Sequence, residues 1–202
     1  YIPSDTNDEG IFKATASGIL PNGKPVIVNA DGTVSVAGLV SVSNSASSPV
    51  VFNAAETNSN SATFDSNSNR IVVVYQDNGN SGYGTAIVGT VSGTSISFGS
   101  EVVFESADSS YMSVTFDSNS NKVVIVYQDN GNSGYGTAIV GTVDSSNNSI
   151  SFGSPVVYES SSTYFNEATF DSNSNKVVIA FAPGTTIGKA IVGTVSGTTI
   201  SF

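Results

Sequence analysis

The sequence contains no cysteine, no histidine and no tryptophan. Without cysteine there are no disulfides, no iron–sulfur cluster and no thiol nucleophile. Without histidine there is no Ser-His-Asp triad and no imidazole ligand, which removes ordinary zinc sites. Positive charge is equally scarce: six Lys+Arg, with Arg70 as the one arginine, stand against sixteen Asp+Glu, for a net charge of −10. Phosphate recognition needs clustered Lys and Arg, so nucleic acid is excluded as a partner. Charged residues make up 11% of the chain, where an ordinary soluble domain has roughly 25%. The longest apolar runs, such as Ile71 to Tyr75, fall far short of the roughly 20 residues that span a bilayer, so no membrane insertion is expected. The chain opens on Tyr1-Ile2-Pro3, without an initiator Met or signal peptide. It reads as a processed form or as part of something longer.

Among its 202 residues are 36 Ser, 20 Asn and 18 Thr, together with 27 Val and 14 Ile against two Leu. This mixture of β-branched aliphatics with turn-forming polar residues favours strands and disfavours helices. A large β core also lets an extracellular protein do without disulfides.

Phe64-Asp65-Ser66-Asn67-Ser68-Asn69 recurs at Phe116–Asn121 and at Phe170–Asn175, in steps of 52 and 54 residues. The 18 residues Val74–Val91 are identical to Val126–Val143. The third copy is degraded, Phe181-Ala182-Pro183-Gly184-Thr185-Thr186-Ile187-Gly188 replacing the Gln-Asp-Asn-Gly-Asn segment. Three repeats follow: 49–100, 101–154 and 155–202, the last cut in its final strand. Each reads as four strands. In the second copy these are Tyr111–Phe116, Lys122–Gln128, Tyr135–Val143 and Ser149–Phe152 running on toward Val157. The run Val123-Val124-Ile125-Val126 leaves no polar face, so the second strand is read as buried on both sides. Asp129–Gly134 is a hairpin turn whose positive φ is expected at Asn and Gly. Gly141, inside the third strand, points to a close backbone approach or a bulge.

Tandem four-stranded antiparallel meanders of about 52 residues are the sequence form of β-propeller blades, because one such sheet cannot cover both of its own apolar faces. The expected fold is therefore all-β: propeller-like blades, incomplete in this chain, after a small β module. Closed propellers use about four to eight blades, so further repeats or other chains would complete the circle. Residues 1–40 read as the small module, with strands at Gly10–Ala16, Lys24–Ala30 and Thr33–Ala37 and an Asp31-Gly32 hairpin signal. Residues 41–48 read as a Ser-rich linker.

The combination ATFDSNSNKVVI, QDNGNSGYGTAIVGTVSGTSISFGS and PVVF resembles the tandem repeats of long structural proteins of marine bacteriophages, cyanophages among them. The leading KATASGILPNGKPVIVNADGTVSVAG is similar to a module that precedes such repeats. The resemblance implies a virion or tail-fibre component on the virion surface, extracellular and adhesive, joined to other virion proteins through its N-terminal module. No active site comes with it.

Candidate chemistry is sparse. Asp65-x-Asn67-x-Asn69 and its copies at Asp117 and Asp171 have the alternate spacing of calcium ligands. Arg70, Lys122 or Lys176 stands where the loop needs glycine, so plain Asx turns are expected and no metal or other cofactor is assigned. Tyr83 and Tyr135, with Gln76, Asp77, Gln128 and Asp129 nearby, offer rings to stack on and polar groups for hydroxyls. These six are the candidate ligand-binding residues, for a host-surface glycan. The same tyrosines would alternatively pack on the neighbouring blade. The remaining acids Glu105, Asp108, Glu159 and Glu167 do not recur in the convergent pattern of a glycosidase pair. The chain is therefore read as non-enzymatic. A secreted or cell-surface carbohydrate-binding propeller, a lectin or adhesin, is the alternative, and a homo-oligomer is compatible with either.

Three structural expectations follow. Phe64, Phe116 and Phe170 should be buried, as should Val72/Val74, Val124/Val126 and Val178/Ala180. By strand parity, Asp65–Asn69 and Asp117–Asn121 should share an end with Ser92–Thr94 and Asp144–Asn148. The opposite end should carry Asp77–Tyr83, Asp129–Tyr135, Glu105–Ser110 and Glu159–Thr163.

Overall fold

The computed structural model describes residues 14–37, 47–184 and 187–202. The chain divides into two compact units, Tyr1–Ser45 and Ala46–Phe202. In the first, β1 (Val26–Val28) and β2 (Val34–Val36) form an antiparallel hairpin. Asp31 closes its turn by accepting from the Thr33 amide at 3.0 Å and the Thr33 hydroxyl at 2.7 Å, with Gly32 supplying a positive φ of 80°. Ala16 makes a single parallel bridge to Val34. Residues 10–13 of the expected first strand and most of the Ser-rich linker lie outside the described residues.

The second unit is built of three four-stranded antiparallel meanders. The first sheet has β3 (Thr57–Asp65), β4 (Arg70–Asp77), β5 (Tyr83–Ser92) and β6 (Ser95–Phe98). The second has β7 (Val102–Asp117), β8 (Lys122–Asp129), β9 (Tyr135–Asp144) and β10 (Ser149–Phe152). The third has β11 (Val156–Asp171), β12 (Lys176–Pro183), β13 (Lys189–Ser196) and β14 (Thr199–Ser201).

The links between repeats differ from the sequence reading. Glu105–Ser110 and Glu159–Thr163 are not loops. They lie inside the 16-residue strands β7 and β11. The first half of β7 runs in line with β6 along the outer edge of β5, with Val102 opposite Ala86 and Val103 opposite Thr85. Its second half, from Ser109 opposite Asp129 to Asp117 opposite Lys122, opens the next sheet. β11 does the same between the second and third sheets. Polar as these segments are, their amides have partners: Ser109 N donates to Gly82 O and Thr163 N to Gly134 O, both at 3.0 Å. A buried or half-buried backbone must find such partners wherever it runs.

Consecutive first strands lie side by side, tied by serine hydroxyls. Ser61 Oγ accepts from Val114 N at 3.2 Å, and Ser113 Oγ accepts from Ala168 N at 3.1 Å. The sheets bury their faces on one another. Val72, Val74, Ala86 and Val88 of the first pack against Val123, Ile125, Tyr127 and Ile139 of the second. Val124, Val126, Ala138 and Val140, on the other face of the second, pack against Val177, Ile179 and Phe181 of the third. The unbroken β-branched run of β8 is thus explained, since it meets a neighbour on both sides. Three equivalent aromatic sets recur, and the second and third pin the two interfaces between sheets. They are Phe52 with Tyr75 and Phe98, Phe104 with Tyr127 and Phe152, and Tyr158 with Phe181 and Phe202, with ring centroids 5.0 to 5.9 Å apart. Gly141 makes room as expected, because a Cβ there would meet the side chains of Ile150 and Phe152.

Two burial expectations fail, for one reason. Phe64 is 51% exposed, while Phe116 and Phe170 are half-buried. Phe116 leans on the sheet before its own, and no earlier sheet is described for Phe64 to lean on. Val72, Val74, Val124 and Val126 are fully buried, but Val178 is half-buried and Ala180 exposed, because they sit on the face of the third sheet turned away from the second.

Candidate functional site

Strand parity holds. Arg70, just after the Asp65–Asn69 turn, donates from Nε to Asn148 Oδ1 at 2.6 Å and from its terminal nitrogen to Ser145 O at 2.7 Å, joining that turn to Asp144–Asn148. At the opposite end Tyr83 lies across from Asp108.

The three Asp-Ser-Asn turns are Asx turns in every copy. Asp65 Oδ1 accepts from Asn67 N and Ser68 N at 2.9 and 3.0 Å, and Asp117 repeats this with Asn119 and Ser120 at the same distances. Asp171 does so with Asn173 at 2.9 Å and Ser174 at 3.4 Å. Asn69, Asn121 and Asn175 take the left-handed conformation that lets the chain reverse. These carboxylates face their own backbone. Among the described residues no group of three or more Asp and Glu could hold a metal.

The six residues singled out from sequence gather at the opposite end, and their placement is mostly structural. Asp77 and Asp129 are buried, at 6% and 8% exposure. Each precedes a 3-10 turn, Asn78–Asn80 or Asn130–Asn132, and Asp129 Oδ1 accepts from Asn132 N at 3.1 Å. The positive φ expected on Asn falls instead on Ser81 and Gly82, and on Ser133 and Gly134, because the asparagines are taken up in the 3-10 turn. Gln128 is buried and donates from Nε2 to Ser162 Oγ at 2.9 Å. Gln76, half-buried, donates to Asp108 Oδ1. Tyr83 and Tyr135 are half-buried at the starts of β5 and β9, opposite Asp77 and Asp129 in the ladder. Of the six, Gln76, Tyr83 and Tyr135 keep some surface; Asp129 holds its turn, Gln128 ties β8 to β11, and Asp77 is buried with its Oδ1 lacking a hydrogen-bond partner.

The acids at this end are tied into the scaffold as well. Tyr127 OH donates to Glu105 Oε2 at 3.2 Å and Tyr75 OH to Glu101 Oε1 at 2.7 Å. Burial, and next the Asp129 charge, raise the Glu105 carboxyl above its usual range. Burial likewise pushes both tyrosine hydroxyls well above their ordinary value. Asp108 bridges two repeats, accepting from Gln76 and, at 2.9 Å, from Asn130 Nδ2. Glu159 is paired with Lys189 at 2.8 Å, which holds its carboxyl below the usual range.

What this end does expose is a group of rings that the sequence reading passed over. Each first strand bulges at one equivalent position, Ser59, Tyr111 or Phe165, with φ of 50°, 47° and 54°. Ser59 Oγ accepts from Tyr111 N at 3.1 Å, so the bulges lie next to one another. The Tyr111 ring is 5.3 Å from that of Tyr164 and 5.5 Å from that of Phe165, both edge to face. Phe165 is 72% exposed and Tyr111 36%. A signal for this group exists in the sequence. The first two repeats are identical from the second strand through the third, Val74–Val91 and Val126–Val143, yet agree at no position of the bulge: Asn58-Ser59-Asn60 against Ser110-Tyr111-Met112, with Tyr164-Phe165-Asn166 in the third copy. No family model, no curated protein and no solved structure matches the chain.

Proposed function

We propose that this chain is a non-enzymatic structural protein of a virion surface, a phage fibre or decoration that displays its repeats for attachment. The observation that carries this reading is the way β7 and β11 each serve two sheets, so that three meanders form one body with the middle sheet covered on both faces. Such a body suits display and load-bearing, because both sheet junctions are crossed by continuous strand as well as by side-chain packing. The N-terminal unit exposes Val26, Ile27 and Val28 at 48, 53 and 61%, which suits docking on other virion proteins. Mass spectrometry and antibody labelling of purified particles test the reading. The chain should be present in stoichiometric amount and reachable by antibody raised against the repeats, and its absence from particles overturns the proposal. The alternative, a secreted or cell-surface carbohydrate-binding protein, draws on the exposed rings at Tyr111 and Phe165. It would be favoured by recovery of the chain from bacterial culture medium free of particles.

A further inference from the structure

We propose that Tyr111, Tyr164 and Phe165 form a binding platform for a neutral hexopyranose, the contact through which an attached glycan is held. The inference deepens the attachment reading and rests on it.

Two of the three rings sit on, and the third directly beside, residues forced into the left-handed backbone region, where a bulky side chain is a genuine outlier. Glycine or asparagine would occupy φ of 47° or 54° with less strain. Strain of this kind, kept at an exposed position, points to a use for the side chain it carries. The packing supplies none. Phe165 keeps most of its surface in water, and the two ring contacts of Tyr111 are to the other members of the group. The serine at the first bulge, Ser59, occupies the same conformation without a ring. The fold therefore does not need an aromatic there.

The chemistry around the rings selects the ligand class. The neighbouring groups are a hydroxyl and an amide: Ser110, adjacent to Tyr111 in the chain, and Asn130, whose Nδ2 donates to Ser110 Oγ at 3.0 Å. A pyranose offers an apolar C–H face to a ring and hydroxyls to such donors and acceptors, the mixture of apolar body and polar tip that aromatic surface residues serve. Three rings make too small an apolar patch for a stable protein interface. A net charge of −10, with Asp108 linked to Asn130, repels sialylated, sulfated or phosphorylated ligands.

The test uses the whole 202-residue chain on an array of neutral, sialylated and sulfated oligosaccharides, with melting temperature measured on every variant. Tyr111→Gly and Phe165→Gly remove the rings and relieve the backbone. The expected result is binding to neutral glycans, lost at least tenfold in each variant and wholly in the double variant, with melting temperatures unchanged or raised. A double variant that folds and still binds overturns the proposal. So do lowered melting temperatures in both single variants, which would make the rings structural, and a preference for anionic glycans. Attachment to whole host cells gives a further arm. It should be abolished by periodate treatment of the cells, and attachment sensitive to protease but not to periodate overturns the proposal in favour of a protein receptor. None of these outcomes bears on whether the chain is found in particles, so the platform can fail while the virion-surface reading stands.

Discussion

Val140 and Val192 occupy equivalent places on the third strands of the second and third sheets, yet Val140 is fully buried while Val192 is 55% exposed. Replacing each by Ala measures what one sheet gains from the next. Val140→Ala removes two methylene equivalents from a site sealed by the third sheet. At about 0.8 kcal/mol each the transfer term is about 1.6 kcal/mol, and the cavity left behind brings the loss to about 2–3 kcal/mol. Val192→Ala removes the same atoms from a surface already more than half wet, for about 0.7 kcal/mol and no cavity. The intrinsic strand preference of Val over Ala is common to both sites and drops out of the comparison. The difference of about 2 kcal/mol corresponds to about 4–8 °C in melting temperature for a domain of this size. Thermal unfolding followed by far-ultraviolet circular dichroism and by tyrosine emission, in a chain that lacks tryptophan, gives both numbers. Equal losses at the two positions would refute the assignment of covered and open faces.

Gly153 lies where the Thr198 carbonyl of the next sheet would meet any Cβ, and a backbone atom cannot swing aside as a flexible side chain would. Gly153→Ala should therefore cost about 1–3 kcal/mol through overpacking, read as a lower urea midpoint. Asp117→Ala should cost about 1–3 kcal/mol by stranding the amides of Asn119 and Ser120. Wild type and variant alike should melt at unchanged temperatures with calcium or with a chelator, and a large chelator effect would restore the metal reading. Glu105, whose carboxyl is raised by burial, binds its proton more tightly folded than unfolded. Its ionisation therefore removes stability as pH rises from the unfolded carboxylate pKa through the higher folded one. Glu105→Gln should accordingly stabilise the protein at neutral pH and lose that advantage in acid. A variant less stable at pH 7 than the wild type would contradict the cause given.

The second strands were legible because Val123-Val124-Ile125-Val126 admits no wet face, and Gly141 because a glycine amid β-branched residues needs an explanation. The Asp-Ser-Asn turns were legible because Arg70 and Lys122 stand where a calcium loop needs glycine. Glu105–Ser110 misled. Its sequence, Glu-Ser-Ala-Asp-Ser-Ser, has the composition of a loop, and its strand character comes from neighbours on two different sheets that no local pattern encodes. Phe64 misled for a related reason. Repetition fixed its place in the strand but not whether a sheet stands before it. The burial of Asp77 and Asp129 was hidden because a buried carboxylate and an exposed one look alike until their donors are known. The strained rings were hidden because a bulge interrupts the alternation by which exposed and buried strand positions are told apart.

Because β7 and β11 each finish one sheet and begin the next, the segment that is copied in the sequence and the sheet that folds are out of phase. Phe52, Phe104 and Tyr158 stand near the start of their copies, while their rings complete a set that the following strands supply. A breakpoint anywhere within the repeats is therefore tolerable so long as one full period is gained or lost, since the junction formed is one the protein already contains. Unequal crossing-over between the near-identical copies can lengthen or shorten this protein without any new interface being invented, and reach becomes a property that heredity adjusts in whole steps.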